Sequence, residues 1–422
     1  MRVLILSCVF PPEPVTSAGT SADLAAGLVQ RGHDVRVVAP MPTRPGSRVM
    51  AGYSRWFPQS EKHADGYEIV RLPVPFLPRR SLVGRSLEYA AFGTFSSLAA
   101  FFNRADIIYA NTWPVLGGLG LPLIRCLRGI PFVLSVQDVH PEAATLTSGI
   151  SPRGPLANLL RRTDGYVARR AQAIATICPA FTNLYRDDRG VPPERLHTVP
   201  NWMDADRVKP TSRENRLRSA LGIPAETRVA MFAGNIGSTA NVDSILDAAS
   251  SIAGRADVRF VIAGDGSERQ RLEALAAQRQ LENVQFIHPL RNEDFNDVQG
   301  LADVMLLPTC AGGASASVPS KMIAYMLAGR PIIAAVEEAS ETAAVIRRAD
   351  CGSIVQPADP LALGQAVLTM LDRPREALQK GAAGRLYAVE HFGRQQCVSR
   401  LADILESAAG ANAHPTALAS AP

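Results

Sequence analysis

The sequence predicts two α/β domains in tandem, each a parallel sheet covered by helices. Three observations lead there. The chain has 422 residues, too many for one ordinary core and about right for two domains of roughly 180 to 200 residues each. Short β-branched runs alternate with helical patterns, and the runs are continuously apolar, as strands buried on both faces should be. The alternation halts in a polar stretch near the middle of the chain and then starts again.

Taken in order, strands are expected at 3–9, 35–39, 68–72, 106–110, 131–136, 173–177 and 197–199, with an Ala-rich helix at 21–31. Pro200-Asn201-Trp202-Met203-Asp204 and the turn-forming stretch to about Asn215 mark a boundary, giving domains 1–200 and 201–410. Strands then resume at 228–233, 258–263, 284–287, 304–307, 331–334 and 352–355. A last helical pattern runs from about 382 to 407 and can pack back on the first domain, while 411–422, rich in Ala, Pro and Ser, is expected to be disordered.

With 47% hydrophobic and 20% charged residues, the composition excludes a disordered or collagen-like chain. The net charge of +5 is unevenly divided: residues 1–200 carry 22 Lys/Arg against 14 Asp/Glu, the remainder 22 against 25. A basic first half suits anionic lipid headgroups or a phosphorylated acceptor. The excess is almost all Arg with few interleaved aromatics and no nucleic-acid motif, so nucleic acid is not an expected partner. Cys8, Cys126, Cys178, Cys310, Cys351 and Cys397 stand singly without a C-x-x-C pair, which fits reduced thiols in a cytoplasmic protein better than disulfides or zinc. The apolar start imitates a signal peptide, but it is short and leads into Pro11-Pro12, so it is read as the first strand. No run reaches the roughly 18 apolar residues of a spanning helix.

In open α/β folds ligands sit beyond the carboxyl ends of strands, and three turns in the second half have suitable chemistry. Phe232-Ala233-Gly234-Asn235-Ile236-Gly237 ends a strand in a glycine turn and is expected to open a helix through Ile245, offering backbone N–H groups to an anion. It matches neither the dinucleotide fingerprint nor the P-loop. Ala263-Gly264-Asp265-Gly266 repeats the strand-glycine-helix pattern, with Asp265 as a possible helix cap. Val318-Pro319-Ser320-Lys321 opens a helix with a cation at the end that disfavours one. Lys321 there asks for an anionic partner, and a diphosphate meets that need; a solvated surface lysine is the plain alternative.

These turns, with Gly32-His33-Asp34-Val35, Val136-Gln137-Asp138-Val139-His140-Pro141-Glu142, Pro200–Asp204, Tyr325-Met326 and Gly329-Arg330-Pro331, are where the sequence resembles the family-four glycosyltransferases of the GT-B fold. The likeness is greatest to the branch of fucosamine and colanic-acid transferases. It implies two Rossmann-like domains facing each other across a cleft. It also implies transfer of a sugar from a nucleotide-sugar donor, usually a UDP-sugar, with retention at the anomeric carbon and no required metal or other cofactor. Gly234, Asn235 and Gly237 are then expected at the diphosphate, Gly264, Asp265 and Gly266 around the nucleotide, and Ser320 and Lys321 at the phosphates, with Pro319 and Tyr325 as further donor-binding residues. Ser17 and Gly19, beside the early Pro-rich loop, are candidates for acceptor contact. In this branch the acceptor is typically a lipid-linked glycan, which places the chain in surface polysaccharide synthesis at the inner face of the cytoplasmic membrane.

Two departures from the family stand out. Many members carry two Glu separated by seven residues, where this sequence has Ala316 and Ala324, and relatives often place a Lys in the first glycine loop, where Ser238-Thr239-Ala240-Asn241 has none. A sugar-nucleotide 2-epimerase, which shares the double Rossmann fold, and an inactive transferase-like scaffold, suggested by these departures, are the rival readings. In the first half, Asp138, His140 and Glu142 are the candidate catalytic groups, three titratable side chains beside a rigid Pro141 at a strand's carboxyl end. Residues 79–104 mix Arg79, Arg80, Arg85 and Arg104 with Leu and Phe in a pattern that fits a membrane interface as well as a core-facing helix. Asp204-x-Asp206 lies in the linker and is not read as a metal motif.

Overall fold

The computed structural model describes the chain except for 45–47, 75–81, 112–114, 116, 143–150, 290, 311–318, 358 and 411–422. It divides into two units, Met1–Asn201 with Gln395–Pro422, and Trp202–Arg394.

In the first unit the strands are β1 (Arg2–Ser7), β2 (Asp34–Pro40), β3 (Gln59–Lys62), β4 (Glu68–Leu72), β5 (Ile107–Asn111), β6 (Phe132–Val136), β7 (Ala173–Thr176) and β8 (Leu196–Thr198). They form one sheet in the order β3-β4-β2-β1-β5-β6-β7-β8. Every pair is parallel except β3 with β4. β3 is absent from the strand pattern of the sequence because Gln-Ser-Glu-Lys has no buried face to betray it. Its helices are α1 (Thr16–Gln30), α2 (Leu82–Phe102), α3 (Gly120–Arg128), α4 (Pro155–Ala168) and α5 (Pro179–Asp187). α1 starts five residues before the Ala-rich pattern, at a Val15 cap with no side-chain bond. β1 pairs with both β2 and β5, so the chain reverses its order of strand addition at the β1/β5 junction, and α1 begins just beyond that point.

The second unit contains α6 (Arg216–Ala220), β9 (Arg228–Ala233), α7 (Asp243–Ser251), β10 (Val258–Ala263), α8 (Arg269–Gln278), β11 (Val284–Ile287), α9 (Phe295–Gly300) and β12 (Val304–Pro308). There follow α10 (Lys321–Leu327), β13 (Ile332–Ala335), α11 (Glu341–Arg348), β14 (Gly352–Val355), α12 (Pro360–Leu371) and α13 (Pro374–His391). All its strand pairs are parallel, in the order β11-β10-β9-β12-β13-β14. Counted within the unit this is the doubly wound order 3-2-1-4-5-6, whose switch point lies between β9 and β12. One apolar layer gathers Met231, Val261, Met305 and Tyr325, and the other Phe232, Phe260, Ile262 and Leu306. Alternate residues of the same strands thus feed opposite faces.

The helical pattern expected to run unbroken through 382–407 is interrupted at Phe392-Gly393, where Gly393 bridges to Met203 and the Met203 amide donates to the Phe392 carbonyl at 3.3 Å. Beyond it α14 (Arg394–Gly410) belongs to the first unit. There Val398 packs against Gly27, and Glu406 accepts from His33 Nε2 at 2.8 Å.

Candidate active site

β9 and β12 are paired only at Ala230↔Val304 and Met231↔Met305. Beyond those residues the two strands part, and the sheet opens at its switch point. The parting leaves the Ala233 backbone groups without a strand partner, and Tyr325 supplies one. Its hydroxyl accepts from the Ala233 amide at 2.9 Å and donates to the Ala233 carbonyl at 2.7 Å. Tyr325 was expected to bind the donor. With only 1% exposure and both capacities of its hydroxyl occupied, it instead fastens α10 to the end of β9. Replacing it with Phe strands two buried backbone groups at roughly 1–3 kcal/mol each. The urea midpoint of Tyr325→Phe is therefore expected to fall with the slope unchanged, and an unaltered midpoint would refute this role.

The turns after β9 and β10 are laced together. Gly234 N donates to Ala263 O at 2.9 Å, Ile236 N to Asp265 O at 2.8 Å, and Glu268 N to Ile236 O at 3.1 Å. Gly264 (φ 141°) and Gly266 (φ 159°) are required by that lacing, since added Cβ atoms would stand 2.0 Å from Gly234 O and 2.3 Å from Ile236 O. Asp265 does not cap α8; its Oδ1 accepts from Gly266 N at 2.8 Å and from Arg269 Nε at 3.0 Å.

The first glycine turn does not open directly into a helix either. A 3-10 turn at Ser238–Ala240 and a left-handed Asn241 (φ 47°) intervene before α7 begins at Asp243. The helix end is already matched by the Asp243 carboxylate, whose hydrogen bond and ion pair with Arg271 at 2.7 Å lower its pKa. Asn241 Nδ2 donates to Thr309 O at 3.2 Å and Pro357 O at 3.4 Å, tying the β9 turn to the segments after β12 and β14. Asn235 is exposed beside Gly237.

Ser320 is the N-cap of α10 and Lys321 its first residue, with Pro319 O accepting from Met322 N at 3.0 Å. From there the Lys321 chain lies along Gly234: an added Cβ on that glycine would be 3.5 Å from Cε and 3.7 Å from Nζ. The ammonium sits 4.1 Å above the Phe232 ring, a cation–π contact that compensates part of its lost hydration. No carboxylate pairs with it among the described residues. Burial lowers its pKa to about 8. Lys321 is thus a half-buried cation at the switch point, with a glycine backbone beside it and no carboxylate partner among the described residues. At the family's Glu positions, Ala324 is buried, and Ala316 lies outside the described residues.

The residues match two family profiles in succession, the Glycosyl transferase 4-like domain over 18–202 and Glycosyl transferases group 1 over 227–373. The chain is a GT-B glycosyltransferase. It is 26% identical over 350 residues to the putative colanic acid biosynthesis glycosyl transferase WcaI of Escherichia coli, covering 81% of this chain and 84% of that one. Among solved structures, sucrose-phosphate synthase of Thermosynechococcus elongatus superposes with a TM-score of 0.76 at 17% identity, over 97% of this chain and 100% of that one. Anabaena HepE in complex with UDP gives 0.72 at 16% identity, over 96% and 100%. Such identities establish the fold.

In the transferase's first unit the loop after β6 has an exposed Asp138, a half-buried His140 and a cis His140–Pro141 bond. Glu142, expected to serve catalysis, is engaged elsewhere. Arg189 NH2 donates to its two oxygens at 3.0 and 2.8 Å, to His140 O at 3.2 Å, and Arg161 Nε reaches it at 3.4 Å. Burial alone would raise the Glu142 pKa, but the Arg189 hydrogen bond and charge outweigh it and the carboxyl titrates below its usual range. That makes it a poor proton acceptor and a good anchor. Arg189 is itself buried, pairing through Nε with Asp164 at 2.8 Å.

Removing the cation from this network takes the ion-pair partner from the buried Asp164 and the nearer of two from Glu142, which costs about 3–5 kcal/mol. Arg189→Ala is expected to lower the thermal midpoint severely, whereas Asp138→Asn is expected to leave it in place.

At the β1/β5 switch, Asn111 Nδ2 donates to Ser17 O at 3.2 Å and Ser21 Oγ at 2.5 Å, and Ser7 Oγ lies 3.0 Å from Ser21 Oγ. Ser17 is thus held by its carbonyl, while Gly19 is exposed, and a Cβ there would meet nothing within 4 Å. Asp204 Oδ1 accepts from Asp206 N at 2.8 Å, closing a local turn.

Phe232 and Asn241 were named only as members of the first glycine turn and its continuation, and Asn111 and Arg189 went unremarked in the sequence. A lone Asn or Arg in a helical or polar stretch carries no local mark of the loops it will join. Phe232, however, stands one residue before the end of β9, close to the glycine turn, and was open to notice as a platform.

Proposed function

We propose that this transferase moves a sugar from a nucleoside diphosphate sugar, gripping the diphosphate with Lys321 beside the Gly234 turn. The observation that carries the reading is the Lys321 ammonium over Phe232 at the β9/β12 switch point, with no carboxylate partner among the described residues. A diphosphate there would gain a charge-assisted contact in a partly dry site, and the same contact would stabilise the negative charge that grows on the leaving group. Gly234 and Gly237 admit the phosphates closely, Asn235 is exposed beside them, and the Gly264–Gly266 turn holds that backbone in shape. UDP is the favoured nucleotide, because the HepE complex shows this fold holding it. Ser320 at the start of α10 adds a hydroxyl next to Lys321.

On the acceptor side the proposal places Asp138 and His140 at the reacting hydroxyl, with Glu142 and Arg189 positioning their loop, and Gly19 leaving room for the acceptor. The likeness to a colanic-acid transferase favours a polysaccharide product on a lipid-linked acceptor, and the resemblance to family four favours retention and a reaction without a resident metal.

Calorimetric titration and thermal unfolding with UDP and a panel of UDP- and GDP-sugars test the donor half. Ligand at a hundred times its Kd adds about 2.7 kcal/mol of stability, a shift of several degrees. If neither nucleotide binds, the proposal fails; if donor is consumed without any acceptor, an epimerase is indicated instead.

A further inference from the structure

Along α4 and just past its end, Asn158, Arg161, Arg162, Gly165 and Arg169 recur at helical spacing and share one face. With Asp188, the residue that follows α5, they line a recess of about 370 Å³. Gly165, itself buried, makes room for the Arg169 chain, since an added Cβ would stand 2.9 Å from Arg169 NH1. Arg169 NH1 donates to Arg189 O at 2.7 Å. The recess therefore lies against the network that holds Glu142, although no part of the donor reading uses it.

Three guanidiniums line the recess with a single carboxylate. Arg161 donates to Asn158 Oδ1 at 2.8 Å and Pro152 O at 3.2 Å, and its Nε reaches Glu142 Oε1 at 3.4 Å. Neither Arg162 nor Arg169 pairs with a carboxylate among the described residues, and Asp188 pairs with no cation there. Like charges gathered without counter-ions repel, and a shared anion relieves all of them at once. No Leu, Ile, Val or aromatic side chain lines the recess, so an apolar ligand has nothing to meet in it. Its volume falls within the range of small-molecule sites, about 300–1,000 Å³, and accommodates more than a bare phosphate.

We infer that this recess binds a small soluble phosphate monoester of a polyhydroxylic molecule, such as a hexose phosphate. The phosphate takes Arg161, Arg162 and Arg169 as charge-assisted donors, and a hydroxyl of the ester donates to Asp188, the acceptor-only group of the set. Arg161 is shared between two anions. A phosphate that recruits it withdraws it from Glu142 and leaves that carboxylate to Arg189. Occupancy of the recess is thereby coupled to the His140–Glu142 loop, which makes the site regulatory. The inference goes beyond the transfer reaction and does not depend on the donor reading.

Calorimetric titration of the full chain with glucose 1-phosphate and with inorganic phosphate, at an ionic strength held constant with chloride, is the test. The ester is expected to bind wild type and Lys321→Ala alike, which separates the recess from the donor site. Arg162→Ala/Arg169→Ala is expected to weaken it about a hundredfold, the loss of two charge-assisted contacts. Arg162→Ala alone, which removes no hydrogen bond or ion pair among the described residues, is expected to weaken it about tenfold. Asp188→Ala is expected to erase the preference for the ester over inorganic phosphate, and Glu142→Gln, which frees Arg161, to tighten the ester severalfold. Arg162, Arg169 and Asp188 are exposed, so the ligand-free thermal midpoint of their variants should stay at the wild-type value. Absence of any heat of binding overturns the inference, as does binding that survives the Arg substitutions or vanishes in Lys321→Ala. Binding of phosphatidic acid vesicles without binding of the soluble ester overturns it too, and an unchanged affinity in Glu142→Gln overturns the coupling to the loop.

Discussion

Lys321→Ala is expected to weaken UDP about tenfold to a hundredfold, the loss of one charge-assisted phosphate contact, and to cut kcat/KM by about a hundredfold to a thousandfold, since the same charge faces the leaving group. The stability of the ligand-free protein is expected to move the other way. A cation whose burial lowers its pKa to about 8 is destabilising to the folded state at neutral pH, so the alanine variant should unfold at the wild-type midpoint or above it. Loss of function with undiminished stability separates a binding residue from a structural one.

The pH dependence follows with a definite sign. Below pH 8 the ammonium is charged and ready; above it, binding a diphosphate must first return the proton, because the bound anion raises the lysine pKa again. Affinity should therefore fall as pH rises from 7 to 9 in the wild type, and Lys321→Ala supplies the baseline for the ligand's own titration. A wild-type profile parallel to that of the variant would count against Lys321 as the phosphate contact.

Gly264→Ala is expected to be the most damaging single methyl in the second unit. The added carbon would stand 2.0 Å from the Gly234 carbonyl oxygen, at a φ of 141° that alanine resists. Backbone cannot give way there without breaking the Gly234 N to Ala263 O bond. A cost of roughly 3 kcal/mol or more lowers the melting temperature by several degrees in a unit of this size. It also displaces Gly234 from beneath Lys321, so nucleotide binding should be lost together with stability. Gly254→Ala is the control, because a Cβ there meets nothing within 4 Å. Differential scanning calorimetry of the two variants checks the contrast; equal midpoints would show that the glycine answers to something other than the lacing of the two turns.

These two residues show how the sequence and the fold divide the site. Lys321 was legible because a cation at the start of a helix is locally unfavourable, and an unfavourable local choice points to a partner. Gly264 and Gly266 were legible as turns, but the neighbour that requires them to be glycine is the β9 turn, some thirty residues away in sequence, which no local pattern contains. Glu142 and Tyr325 were drawn to the site by their chemistry and by family likeness. The structure fills both with internal partners, Arg189 for the one and the Ala233 backbone for the other. The 382–407 helix was read as one because its apolar period is nearly continuous; a contact with Met203 breaks it.

By itself the sequence determined that there are two parallel-sheet units, where the buried strands of the second unit run, and which glycine turns and which lysine stand at their carboxyl ends. Those are consequences of apolar periodicity and turn chemistry, which act within a few residues. Only the tertiary structure decided that β9 and β12 separate at the switch point, that Lys321 lies over Phe232 with no carboxylate partner among the described residues, and that Glu142 is held by Arg189. Each of those is a meeting of residues far apart in the chain, set by strand order and packing.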